Sequence, residues 1–132
     1  MIALPLELSR LAGVRYLDNG RDAATGLDCW GFYREARRAM GLPVPPVNLI
    51  GKRSLRDAAF LDGMSSPEWR RTDSPARGML ALFRTRLGHH CGLMLDRAAF
   101  AHLSRLGLRV GVLDDLRWAR IHLGVYEYVP KN

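Results

Sequence analysis

The chain has only two cysteines, Cys29 and Cys91, in 132 residues. Two are too few for the disulfide framework that staples small secreted domains. No apolar run approaches the roughly 18 residues a membrane helix requires, so insertion into a bilayer is not expected. The opening, Met1 to Leu8, offers no basic region, no long apolar segment and no small-residue cleavage site, so no signal peptide is read there. Long blocks of one charge, internal repeats and low-complexity tracts are also missing. Hydrophobic residues make up 48% of the chain and occur throughout it, which excludes a disordered polypeptide. The length favours a single domain over residues 1–132, large enough to bury a core unaided by staples.

What the sequence does have is positive charge, with 20 Lys+Arg against 13 Asp+Glu. That balance invites a nucleic-acid reading, but the cations are dispersed. They fall at Arg34, Arg37 and Arg38, at Lys52, Arg53 and Arg56, at Arg70 and Arg71, and at Arg84 and Arg86. No aromatic-interleaved basic stripe accompanies them, so they read as a solvated face and no specific nucleic-acid partner is expected. Attraction to any polyanion, including a bacterial cell surface, follows from the same charge.

The spacing of Leu4, Leu8, Leu11 and Val14 predicts an amphipathic helix within residues 4–17. Asp18-Asn19-Gly20 reads as a turn, and the segment through Gly26 as a loop. A stronger helix follows. Asp28 is a good N-cap, and Cys29, Phe32, Tyr33, Ala36 and Met40 share one face, with Arg34, Glu35, Arg37 and Arg38 on the remainder. Gly41 and Pro43 stop it. An irregular Pro-rich insertion then runs over about 43–75, with one short helix expected at Ser54 to Leu61. Strand-like runs follow at Met79–Phe83, His89–Leu95, Phe100–Leu103 and Leu108–Leu113, and a closing strand at Ile121–Tyr128. Helices first and strands later predict an α+β fold with an antiparallel sheet.

Chemistry is expected where Cys29 meets histidine. A thiol at a helix N-terminus is a favoured thiolate, because the first helical N–H groups point at it. Standing alone, a cysteine is more often a small buried hydrophobe. A nucleophile needs a base, and the base needs an orienting group. If a hairpin turns at Arg97, Gly92 lies opposite His102 and Cys91 opposite Leu103. His90 and His102 then become diagonal neighbours on one face. His89 and Cys91 project to the other, which assigns Cys91 to the core. His122 reads as ordinary sheet surface. No CxxC or HxxxH spacing supports a metal site.

The ordered set of motifs resembles the NlpC-type cell-wall peptidases, which are papain-like cysteine enzymes. The resemblance rests on Tyr16, a short loop, Asp28-Cys29-Trp30-Gly31 opening a helix, and Gly41-Leu42-Pro43 ending it. It continues in the strand Gly78–Phe83, in His90-Cys91-Gly92-Leu93-Met94-Leu95 and in Phe100-Ala101-His102, and so spans roughly residues 14–128. Trp30 stands where the family usually has Ser, and Met79 where it has an acidic residue. Trp30 and the closing Trp118…Gly124-Val125-Tyr126 look like the phage-tail branch.

The resemblance implies a nucleophile in Cys29, a general base in His90 and an orienter in His102. Tyr16, Asp28 and Trp30 would line the substrate and oxyanion side, with the Cys29 backbone N–H as oxyanion donor. It further implies a phage tail-associated peptidoglycan hydrolase that cuts the stem peptide at D-γ-glutamyl-diaminopimelate and needs neither metal nor cofactor. Its partners would be the stem peptide and other tail-tip proteins. Its location would be the virion tail, made in the host cytoplasm and acting in the periplasm and cell wall. Two alternatives remain open: a structural tail-tip protein that keeps the fold with little or no activity, and a bacterial amidase toxin. Trp30 and the Pro-rich insertion motivate the structural one, since either would narrow a cleft or dock a neighbour.

Overall fold

The structure, a computed structural model, describes residues 4–46 and 66–130. The expected helix at Ser54–Leu61 lies outside them. The opening helix is shorter than its apolar spacing suggests: a 3-10 helix, Leu6–Leu11, starts after Pro5 and buries Leu8 and Leu11. Its hydrogen-bond geometry is poorer than an α-helix's, and such helices rarely extend. The segment read as a loop contains a small hairpin, β1 (Arg21–Asp22) with β2 (Gly26–Leu27), paired antiparallel. Tyr16 bridges to Leu27 beside it.

Helix α1, Cys29–Ala39, forms where the cap and the apolar spacing place it. Asp28 Oδ1 accepts from the Gly31 N–H at 2.8 Å, satisfying one of the free donors of the first turn. Trp30, Phe32, Tyr33 and Ala36 are buried. The solvated role expected for Arg37 is corrected: it is 6% exposed. Its guanidinium donates to Pro43 O at 2.7 Å and to Gly78 O at 2.8 Å, and the Tyr33 hydroxyl donates to the same Gly78 oxygen at 2.9 Å. These bonds tie the helix and its exit to the start of the sheet, and the buried Arg37 and Tyr33 donors find carbonyls.

Among the described residues the main sheet has six strands. They are β3 (Trp69–Thr72), β4 (Leu80–Thr85), β5 (Gly88–Met94), β6 (Ala99–Ser104), β7 (Gly107–Val112) and β8 (His122–Tyr128), in the order β3-β8-β4-β5-β6-β7, all antiparallel. β3 lies inside the stretch read as irregular. A four-residue helix, α2 (Leu116–Ala119), capped by Asp115, precedes β8 and is too short to show a helical period in the sequence. The α+β class with an antiparallel sheet stands. Among the described residues no helix is long and apolar enough to cross a membrane.

Strand parity separates two cores. Leu80, Leu82, Cys91, Leu93, Ala101 and Leu103 face α1 and pack with Phe32, Tyr33 and Ala36. Ala81, Phe83, Met94, Phe100 and Val125 face the other way, under Trp118 and Ile121. The β5–β6 register, Leu93↔Ala101 and Met94↔Phe100, is the one a hairpin about Arg97 predicts. β5 and β6 pair at those two positions, whereas β4–β5 and β6–β7 each pair at six. Below Leu93 the middle of the sheet parts, and the parting positions the site.

Candidate active site

Cys29 is the first residue of α1 and sits where β5 and β6 diverge. Two close approaches hold the helix start there. A Cβ on Gly31 would lie 2.3 Å from Gly20 O, so only glycine lets the loop seat against the first turn. Asp28 is 2% exposed, and beyond its cap it takes an ion pair from Arg21 Nη1 at 2.6 Å. Burial pushes the Asp28 carboxyl upward, while its bonds to Gly31 and Arg21 oppose that. Paired in this way, Asp28 builds the helix start and contributes no free charge to a substrate.

His90 and His102 meet as strand parity predicts: His90 Nε2 lies 2.9 Å from His102 Nδ1, the rings edge-on with centroids 5.0 Å apart. The approach is possible because position 92 is glycine. A Cβ there would fall 2.8 Å from Phe100 Cδ2 and 3.4 Å from His102 Cβ. Trp118 closes the far side, 4.7 Å from the His102 ring and 6.4 Å from that of His90. Sequence reasoning gave Trp118 no part in holding the histidines, since a four-residue helix leaves no periodic signal. His102 is 6% exposed, and burial, helped by His90 and Arg109, lowers its pKa to about 3. It is therefore neutral near pH 7 and can accept the His90 Nε2–H, leaving His90 Nδ1 for the thiol.

The Cys29 thiol is held well below its ordinary pKa. The largest cause is a hydrogen bond from the Cys91 thiol; burial opposes it, and the His90 imidazole adds a hydrogen bond and its charge. The Cys91 backbone N–H also donates to the sulfur. Cys91, fully buried, is pushed upward by burial and by the adjacent Cys29, so it stays a thiol and a donor. This corrects the reading that turned Cys91 away from the site. The parity was right, since Cys91 and His90 do face opposite ways, but both the Cys91 thiol and the His90 imidazole act on Cys29.

Cys29, His90 and His102 border one open cleft of about 760 Å³, with Tyr16 on the same wall. Burial and the neighbouring Cys29 raise the Tyr16 phenol to about 12, which keeps it protonated. The Arg105 guanidinium stacks over its ring at 5.1 Å. Trp30 also borders the cleft but is 2% exposed, its ring stacked on Tyr33 at 5.6 Å and tilted against Trp69 at 6.3 Å. Packing holds that ring, so a role in gripping substrate, or in narrowing the cleft, does not fit it. Among the described residues no group of three His, Cys, Asp or Glu side chains could hold a metal ion.

No protein-family model and no curated protein matches this sequence. Solved structures do match. A Staphylococcus aureus subsp. aureus Mu50 protein described as similar to a lipoprotein of the NLP/P60 family superposes with a TM-score of 0.67 at 17% identity, over 95% of this chain and 40% of that one. The NlpC/p60 domain of the peptidoglycan hydrolase SagA gives 0.55 at 20% identity, over 92% of both chains. An NlpC/P60 family protein from Bacillus cereus ATCC 10987 gives 0.59 at 17% identity, over 89% of this chain and 36% of that one. The chain thus spans well under half of two of these proteins and nearly all of the third. At these identities the likeness is one of architecture, and the architecture of this chain is that of the NlpC/P60 domains.

Proposed function

We propose that this chain is a cysteine peptidase that hydrolyses amide bonds in the stem peptides of peptidoglycan. One observation carries the reading: Cys29, at a helix N-terminus on the wall of an open cleft, shares that cleft with His90, whose Nε2 lies 2.9 Å from the Nδ1 of a neutral His102, and His90 and Cys91 hold the thiol well below its ordinary pKa. In this mechanism the Cys29 thiolate attacks the amide carbonyl. The developing oxyanion takes the Cys29 backbone N–H as donor, joined by the Tyr16 hydroxyl when it turns from Asp18, to which it donates at 3.4 Å in the free protein. His90, charged beside the thiolate, protonates the leaving amine, and a thioester to Cys29 remains. His90, now neutral, deprotonates a water that attacks the thioester, releasing the acid and restoring the thiolate–imidazolium pair. His102 accepts from His90 Nε2 throughout and fixes the ring so that Nδ1 faces the sulfur.

The substrate class is supported by the shared architecture with the SagA domain, which is described as a peptidoglycan hydrolase. The finer assignment is to a phage tail component in which residues 1–132 form one peptidase domain, cutting D-γ-glutamyl-diaminopimelate and working beside other tail-tip proteins. Its support is the sequence resemblance at Cys29-Trp30 and in the closing segment Trp118…Gly124-Val125-Tyr126.

Digestion of diaminopimelate-type peptidoglycan by wild type and Cys29→Ala, with the fragments identified by mass spectrometry, tests the proposal. Cleavage within the stem peptide by wild type alone is expected. A folded wild type that releases no fragments refutes it.

A further inference from the structure

Two hairpin tips at the mouth of the cleft carry the same four-residue pattern, too short to register as a repeat in the sequence. β4 turns into β5 through Thr85-Arg86-Leu87-Gly88, and β6 into β7 through Ser104-Arg105-Leu106-Gly107. The two tips are built alike. Thr85 pairs with Gly88 and Ser104 with Gly107, leaving an Arg-Leu pair at each apex. The hydroxyl before each turn accepts from the leucine N–H, at 3.1 Å from Leu87 and 3.2 Å from Leu106. Gly88 and Gly107 both take left-handed φ, 115° and 101°, as such tight turns favour. Each tip thus carries one exposed arginine and one exposed leucine, Leu87 59% and Leu106 78% exposed, with the Arg105 guanidinium lying over the Tyr16 ring at 5.1 Å.

The strand order places the tips on opposite banks. β4–β5 lies on one side of the parting and β6–β7 on the other, and the β5–β6 turn is at the far end of the sheet. Both tips border the cleft that contains Cys29, and Arg109 and Arg117 border it too. Among the described residues two acids line the cleft with these four arginines, Asp28 matched by Arg21 and Asp18 accepting from Tyr16 at 3.4 Å, and Arg117 pairs with Asp115 at 3.6 Å. The described lining of the cleft therefore carries an excess of positive charge, with Arg86, Arg105 and Arg109 beyond the matched pairs.

We propose that the Arg86-Leu87 and Arg105-Leu106 tips are paired jaws that bind the free carboxylates of an acidic peptide, one on each side of the bond presented to Cys29. The inference rests on the stem-peptide reading and names the groups within that substrate that the site selects. Guanidinium matches carboxylate as a planar fork, and each leucine gives the adjoining aliphatic part of the peptide an apolar surface. A uniformly charged polymer would instead want a continuous basic track, and the cleft of about 760 Å³ suits a few residues.

The test separates binding from hydrolysis by using the full chain with Cys29→Ala. Calorimetry would compare a stem peptide with free carboxylates against the same peptide with those carboxylates amidated. The free-acid peptide should bind more tightly, and Arg86→Gln and Arg105→Gln should each weaken it about fivefold while leaving the amide's affinity nearly unchanged, as loss of an exposed charge-assisted pair predicts. Arg97→Gln, which removes an exposed arginine from the β5–β6 turn, should change neither affinity. Equal binding of acid and amide, or a double Arg86→Gln/Arg105→Gln variant that keeps the preference, overturns the proposal. So does a phosphate polymer that competes as well as the peptide, since charge alone would then suffice. Wild type that binds selectively but cleaves nothing would refute the peptidase reading and leave the jaws standing.

Discussion

The His102 imidazole should remain unprotonated in the folded protein until the pH falls to about 3, and that has a cost in acid that can be measured. In the unfolded chain the same ring titrates near its ordinary value of about 6.5. Between those two values the unfolded state binds a proton that the folded state refuses, so acid favours unfolding. The contribution is complete above pH 6.5 and is lost progressively as the pH drops toward 3. Moving from pH 7 to pH 5 should cost about 2 kcal/mol through this one ring, from linkage at about 1.4 kcal/mol per pH unit. At 6% exposure the ring is screened little by solvent, so the figure needs no large discount.

The comparison variant is His102→Asn, whose Oδ1 can accept from His90 Nε2 but cannot titrate. Urea unfolding of both proteins at pH 7 and pH 5 should show wild type losing about 2 kcal/mol more than the variant. Imidazole NMR of wild type should show the His102 resonance unmoved over that interval. The catalytic corollary is that His102→Asn keeps the acid limb of its pH–rate profile where wild type has it, because the limb belongs to the thiol and its base. A folded-state titration of His102 near pH 6.5, or equal acid losses in the two proteins, would refute the reasoning.

Cys91→Ala should raise the pH at which Cys29 is alkylated, because it removes the thiol donor that contributes most to the low pKa; Cys91→Ser, with a hydroxyl donor in its place, should recover part of the shift in the same iodoacetamide titration. Gly92→Ala should cost about 1–3 kcal/mol in thermal or urea unfolding, since its Cβ would enter the Phe100 ring at 2.8 Å, and turnover should fall as His102 is displaced. Asp28→Ala should cost more than the roughly 1 kcal/mol of an ordinary cap, because it also leaves Arg21 without its carboxylate. Unfolding within a few tenths of wild type would show that the Arg21–Asp28 pair contributes nothing.

The parts of the site legible in the sequence were those set by local rules. The cap at Asp28 and the apolar spacing of Phe32, Tyr33 and Ala36 placed Cys29 at a helix start. The turn at Asp96-Arg97-Ala98, pinned by Asp96 Oδ1 accepting from Ala98 and Ala99, fixed the register that brings His90 to His102. What escaped depends on distance. Periodicity put Arg37 among solvated arginines, but its partners, Pro43 and Gly78, lie beyond the helix. β3 carries Trp69, which packs 5.0 Å from Tyr128, yet four residues among prolines leave too short an alternation to read. Parity likewise gave the two faces of β5 correctly and still misplaced Cys91, because it assumes an unbroken sheet.

That break explains why a thiol and a base from opposite sides of one sheet can meet. Where strands pair fully, a side chain facing the helix and one facing away are separated by the backbone, and Cys29 and His90 could not bond. The β5–β6 ladder pairs Leu93↔Ala101 and Met94↔Phe100 and ends before Cys91, and there Cys29, at the helix N-terminus, comes within reach of both Cys91 and His90. The parting exposes the Cys91 backbone N–H to the sulfur and lets His90 reach it from the other face. It also sets the β4–β5 and β6–β7 tips apart as two banks. Catalytic geometry and substrate access therefore have a common structural origin. Substitutions that distort the split, such as a side chain at position 92 that pushes on Phe100 and His102, should damage both together, whereas a change confined to Arg86 should affect binding alone.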